Sequence, residues 1–194
     1  MKHFFWILII ASITVQAQDP DALEAHRLQY KTDLANEIKA DTSMVRFYPF
    51  NRKLLLTAKV EVLENQRVFK FITSSGKTKE ARKYVRVTFS INGKSHTLFG
   101  YQILKLKESK ETADHFFIPF RDATSGKTTY EGGRYLDFKT GDIDKGSLIL
   151  DFNKAYNPYC AFVDGYNCPI PPRENTLNIP IAAGEKKYPK PEKS

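Results

Sequence analysis

Apolar positions change period along the chain. In DALEAHRLQYKTDLANEIKA (21–40), Leu23, Tyr30, Leu34 and Ile38 recur at helical spacings and polar residues fill the other faces. This predicts one amphipathic helix, with Asp19 and Pro20 as N-cap and first-turn proline. After Pro49 the period becomes two. Leu54, Leu56, Ala58, Val60 and Val62 alternate with Leu55, Thr57, Lys59 and Glu61, which predicts a strand. Further strands are predicted at 68–73, 84–91, 95–106, 116–120, 129–138, 147–153 and 177–182. Asn92-Gly93 between two of them is a strong hairpin signal and sets Phe89 opposite His96 and Val87 opposite Leu98. The fold class is therefore mainly β: an antiparallel barrel or sandwich of about eight strands with one N-terminal amphipathic helix. Residues 154–176, rich in Pro, Asn and Tyr, predict an ordered irregular loop.

The first residues carry a different signal. Lys2 precedes the uncharged stretch FFWILIIASITV, and Val15 and Ala17 place small residues where a signal peptidase reads. This is the layout of a secretory signal peptide over 1–17, cleaved after Ala17. The apolar run is short for a membrane anchor, which needs about 20 residues. The expected organisation is the signal peptide, one β-rich domain over 18–187 and a basic tail over 188–194. The expected location is outside the cytoplasm, periplasmic or secreted, with no stable membrane span. The two cysteines, Cys160 and Cys168, share the irregular loop, and in an oxidising compartment an even count favours a disulfide.

Composition narrows the functions. Hydrophobic residues are 41% and charged residues 27%, which excludes general disorder. The formal charge is +8, one less once Lys2 is removed. The lysines are scattered and not interleaved with aromatics, so nucleic acid is not an expected partner. Three Gly-Lys-Thr/Ser triplets, at Gly76, Gly93 and Gly126, lack the earlier glycine of a phosphate loop and read as turns. His26, His96 and His115 are isolated, and the cysteines are not spaced as metal knuckles. No metal or cofactor is expected.

Charged and amide residues concentrate in 120–185, in FRDATSGKTTYEGGRYLDF, LILDFNKAYNPYC and CPIPPRENTLNIPIAAGEK. Asp122, Asp137, Asp151, Glu174 and Glu185 are candidate acids and bases, and Arg121 and Arg134 candidate holders of an anion. Asp151, Asn153 and Asn157 equally suit anchoring of a loop through its backbone. If Phe138 pairs with Leu148 in a hairpin, then Arg134 lies beside the strand end carrying Asp151 and Asn153. The candidate ligand-binding set is Arg121, Asp122, Tyr130, Arg134, Asp151, Asn153 and Asn157, converging at one end of the β-body.

At these residues the chain resembles the DUF1684 family, a bacterial domain of unknown function. The resemblance runs through Arg121-Asp122, Thr124, Gly126, Thr129-Tyr130, Gly133-Arg134-Tyr135 and Leu150-Asp151-Phe152-Asn153. It continues through Asn157-Pro158-Tyr159-Cys160-Ala161, Cys168-Pro169, Pro171-Pro172, Glu174-Asn175, Leu177 and Ala183-Gly184-Glu185-Lys186. It implies one domain over most of the mature chain and no particular activity. Three readings stand: a monomeric exported module binding a small polar or anionic ligand, a carboxylate- and arginine-based hydrolytic enzyme, or a structural protein that engages an envelope component.

Overall fold

A computed structural model describes residues 20–189. The helix α1 spans Pro20–Ile38, and seven strands follow: β1 (Leu55–Val62), β2 (Phe69–Ile72), β3 (Thr78–Ile91), β4 (Lys94–Ile103), β5 (His115–Phe120), β6 (Arg134–Lys139) and β7 (Ser147–Asp151). They form one antiparallel sheet in the order β6-β5-β4-β3-β1-β7, with β2 also on β3. The architecture is a half-barrel with one helix, as the periodicity implies. The signal-peptide stretch, the Asp19 cap and the last five residues lie outside the described residues.

The 14-residue β3 organises the sheet. Its first part pairs with β2 and its second with β1, while β4 runs along its other edge. Asn92 and Gly93 both take positive φ, 51° and 75°, and the hairpin has the expected register, Phe89 opposite His96 and Val87 opposite Leu98. The register shifts between Lys83 and Val85. One extra residue exchanges the faces of a strand. Ala81 therefore joins an outer cluster with Phe71, Tyr101 and Phe117, while Val85, Val87 and Phe89 enter the main core. That core packs them against Phe116, Ile118, Phe120, Leu148, Leu150 and Phe152. Gly100 sits where a Cβ would come 2.6 Å from Val85 and 2.9 Å from Phe116, so β3, β4 and β5 approach closely only around a glycine there.

Two expectations change. First, β6 and β7 do not pair. β6 pairs with β5 and β7 with β1, so the two strands are opposite ends of the curled sheet. Their apolar faces match because both line one core, not because they share a ladder. Second, 177–182 makes no ladder of its own. It is a strap over the core, with Leu177, Ile181 and Ala183 buried beneath it. The strap continues as Lys186 and Lys187 donate their N–H groups to the Arg46 and Thr128 carbonyls, both at 2.9 Å. Tyr188, assigned by sequence to the tail, packs on Phe162 with ring centroids 4.8 Å apart.

The 154–176 segment is irregular and ordered. Cys160 and Cys168 are disulfide-bonded, with Cα atoms 6.3 Å apart. The bonded loop docks on the β2–β3 turn, where Ser74 N–H donates to the Cys168 carbonyl and Ile170 N–H to the Ile72 carbonyl, both at 2.9 Å. Gly76, Gly93 and Gly126 all have positive φ at turns, as expected for glycines outside a phosphate loop.

Candidate functional site

The strap is held by a buried polar cluster. Arg134 opens β6 and faces inward in step with Leu136, and is 1% exposed. Its guanidinium meets the Asp122 carboxylate at 2.9 Å. It also donates to the carbonyls of Ile181 (2.9 Å), Ala183 and Glu185 (3.3 Å). Burial lowers the affinity of this guanidinium for its proton, and the Asp122 charge opposes that effect. The other Asp122 oxygen accepts from Thr124 N–H (2.8 Å), the Thr124 hydroxyl (2.6 Å) and Ile181 N–H (3.1 Å). Buried charges persist when paired and hydrogen-bonded in this way.

Next along the strap, Glu185 is fully buried. Its Oε2 accepts from Asn157 N–H (2.7 Å) and from the Tyr30 hydroxyl of α1 (2.8 Å). Burial pushes its carboxyl up to about 7, against those bonds and the Arg134 charge. Glu185 Oε1, Arg134 Nε and Asn157 Oδ1 have no protein partner. Asn157 Nδ2 donates to the Lys186 carbonyl (2.8 Å). Gly184, between the anchors, has φ +73°, and a Cβ there would meet the Ala155 carbonyl oxygen at 2.5 Å.

Of the sequence-derived set, Asp122, Arg134 and Asn157 thus converge on residues 181–186. Asp151 and Asn153 form a neighbouring clasp. Asp151 accepts from Asn153 N–H (3.0 Å) and Nδ2 (2.8 Å). Asn153 in turn bonds both main-chain groups of Asn51. Both residues are buried, so they do not simply face water. The cysteine loop is not tied to this strand end and docks instead on the β2–β3 turn. Arg121 and Tyr130 stand apart from the ion pair. Arg121 Nε donates to the Glu131 carbonyl (3.3 Å), and Tyr130 packs among the residues under α1.

Three groups stand outside the sequence-derived ligand set: Asn175, marked only by its place in the family string, Asp137, read only as a candidate acid or base, and Tyr48, which the sequence does not single out. Asn175 fills the gap where β4 and β5 diverge, accepting from Phe99 N–H (2.9 Å) and donating to the Phe99 (2.8 Å) and Pro119 (2.6 Å) carbonyls. Asp137 accepts from Tyr156 OH (2.6 Å) and His115 Nε2 (2.9 Å). Tyr48 bonds Thr128 Oγ1 (2.5 Å) at the surface.

Two clefts open near the cluster. One, of about 400 Å³, is bordered by Arg46, Tyr48, Lys127, Thr128, Lys186 and Lys187. The other, of about 350 Å³, lies between β6 and β7. Arg134 and Asp122 border neither. Among the described residues, no group of three or more His, Cys, Asp or Glu is arranged to hold a metal ion.

Fold and cluster together define a half-barrel scaffold closed by a strap that buried side chains hold from within. The chain belongs to the family described as Protein of unknown function (DUF1684), whose profile matches residues 41–186. Its fold is similar to the solution NMR structure of an uncharacterized protein from Haloarcula marismortui. That likeness has 25% identity and a TM-score of 0.61, and covers 87% of this chain and 97% of the other. No curated protein matches the chain.

Proposed function

We propose that this is an exported binding module for a small anionic ligand, taken in the basic cleft. The observation that carries the reading is the convergence of Arg46, Lys127, Lys186 and Lys187 on one cleft of about 400 Å³ with a fixed floor. The floor is tied by the Lys186–Arg46 and Lys187–Thr128 main-chain bonds and by the Tyr48–Thr128 hydroxyl pair. Lys187 also meets Glu131 at 3.1 Å, and the Lys186 ammonium lies 4.9 Å from the Tyr48 ring centroid. Phosphate or carboxylate groups suit such a site through charge-assisted hydrogen bonds.

The buried residues then act as braces. Arg134, Asp122, Glu185 and Asn157 hold the strap that displays Lys186 and Lys187. Binding at the cleft uses Lys127 and Lys186 directly, and the candidate set supports it from beneath. The hydrolytic reading gains nothing from Asp122 or Glu185, which are enclosed and turned toward main-chain donors. Export rests on the leader-like residues 1–17. It is supported by the disulfide, and no helix among the described residues is long and apolar enough to cross a membrane.

Isothermal titration with pyrophosphate and with citrate tests the reading. The expected result is saturable binding that weakens with salt and falls at least about tenfold in Lys127→Glu/Lys186→Glu. Lys127 is exposed and Lys186 half-buried with its main-chain bonds untouched by the substitution, so the melting temperature should stay near that of the parent. Unchanged affinity in that variant overturns the proposal.

A further inference from the structure

Positive charge is unevenly placed in the fold. Between Arg67 and Lys83 stand six basic residues and one acid, Glu80. The short 3-10 turn Leu104–Glu108 follows β4, packs on β3, and adds Lys105 and Lys107 against Glu108. Pairing lays these segments side by side. Lys70 is opposite Glu80 and Ile72 opposite Thr78, while Ala81 is opposite Ile103, next to the turn. Lys83 is spent on Glu174, at 2.9 Å. Among the described residues, no salt bridge engages Arg67, Lys70, Lys77 or Lys105, and all four are exposed.

Apolar side chains stand among these cations. Phe69 and Phe71 turn to the outer aromatic cluster, so Lys70 and Ile72 take the opposite face of β2. Ile72 is 60% exposed, Val68 beside the strand 53%, and Leu106 on the neighbouring turn 39%. Neither of the two clefts includes any of these residues.

We infer that this end of the sheet, with β2 at its edge, docks on the surface of an anionic lipid bilayer. Lysine and arginine at such a surface each strengthen binding through the field of the acidic headgroups. A polyanion in water would satisfy the charges and leave Ile72, Val68 and Leu106 wet. A bilayer takes both, since the apolar side chains enter the headgroup boundary while the cations stay among phosphates. A bilayer also needs no complementary shape, which suits a surface outside both clefts. The contact is peripheral and separate from the basic cleft, which lies over the strap.

The test mixes the mature protein with vesicles of phosphatidylcholine alone, and of phosphatidylcholine with an equal part of phosphatidylglycerol, and reads cosedimentation. Binding is expected to the anionic vesicles only, and to weaken as salt rises. Lys70→Glu/Lys77→Glu should weaken it at least about tenfold and leave pyrophosphate binding unchanged. Lys127→Glu/Lys186→Glu should cost vesicle binding far less. The chain's one tryptophan is Trp6, within the leader-like residues, so Ile72→Trp gives the mature protein a single reporter at an exposed position. Its emission should shift to the blue with anionic vesicles and be quenched by brominated lipid. Absence of binding to the anionic vesicles overturns the inference. Binding lost as fully in the cleft variant as in Lys70→Glu/Lys77→Glu also overturns it, by showing headgroups held in the cleft. So does a vesicle-bound Ile72→Trp protein whose emission stays unshifted while dextran sulfate binds as tightly, which assigns the surface to an acidic polymer.

Discussion

Replacing Arg134 with methionine keeps an unbranched apolar stem against the Phe120 ring, whose centroid lies 5.3 Å from the guanidinium carbon, and deletes the charge and its donors. Asp122 Oδ2 loses its guanidinium partner, and the Ile181 and Ala183 carbonyls lose theirs. The surviving carboxylate is 1% exposed, too little for water to replace what is removed. Breaking one side of a buried pair costs about 3–5 kcal/mol. For a domain of this size each kcal/mol lowers the melting temperature by about 2–4 °C, so the variant should melt roughly 6–20 °C lower. Urea unfolding followed by circular dichroism gives the free energy directly. Amide exchange supplies a local reading, since Ile181 N–H donates to Asp122 and should exchange faster than core amides. The double variant Asp122→Leu/Arg134→Met should recover at least about 1 kcal/mol relative to additivity, because no uncompensated charge remains. A loss below about 1 kcal/mol in the single variant, or strict additivity in the double, would refute the idea that this pair holds the strap.

Three further outcomes follow from the same geometry. The Glu185 carboxyl titrates at about 7 when folded, above its ordinary 4.5, so the folded protein retains a proton that the unfolded chain releases. Stability is then full below the ordinary value and falls as pH rises through about 7, by up to about 3 kcal/mol; Glu185→Gln should flatten that slope in urea titrations, and equal slopes would contradict the assignment. The Cys160–Cys168 bond should leave no reactive thiol in the denatured, unreduced protein, and Cys160→Ser/Cys168→Ser should lose roughly 2.5 kcal/mol by the chain-entropy argument. Asn175→Ala should cost about 3 kcal/mol, because it strips partners from the Phe99 N–H and two carbonyls, and a urea midpoint shift too small for about 1 kcal/mol would deny Asn175 that role.

The fold was legible wherever side chains alternate. β1, β3, β4 and β7 carry the period-two pattern that a half-buried strand needs, and the Asn92-Gly93 turn follows from its own backbone chemistry. Pairing between distant strands was not legible. Phe138 and Leu148 satisfy a hairpin register on paper, yet their strands are joined to β5 and β1. Periodicity reports which face is buried and leaves the neighbour open. The bulge near Tyr84 was invisible for a similar reason, since it exchanges two faces that are both apolar. In the polar cluster, Arg134 was legible as a group that holds an anion, and the anion it meets is the Asp122 carboxylate. Its carbonyl partners on the strap were not, because 177–182 looks like a strand whose main chain would be spent on a ladder.

The polar residues between 120 and 185 read as chemistry because they are dense, charged and interleaved with aromatics. Their positions give a different physical reason for the density. The part of the chain that covers this half-barrel is coil, so its main-chain groups have no ladder to satisfy them, and a buried unpaired carbonyl or N–H is costly. Side chains that can serve several main-chain groups fill that need. Asn153 serves Asn51, Asn157 serves Lys186, Asn175 serves Phe99 and Pro119, and Arg134 serves three carbonyls of the strap. Each of these four is 1% exposed or less. What the brace delivers outward is a fixed surface, on which Lys186 and Lys187 are tied to Arg46 and Thr128. Under the binding function proposed above, contacts with the ligand fall to Lys127 and Lys186 and not to the signature residues beneath them. The signature residues determine whether those groups are held in position.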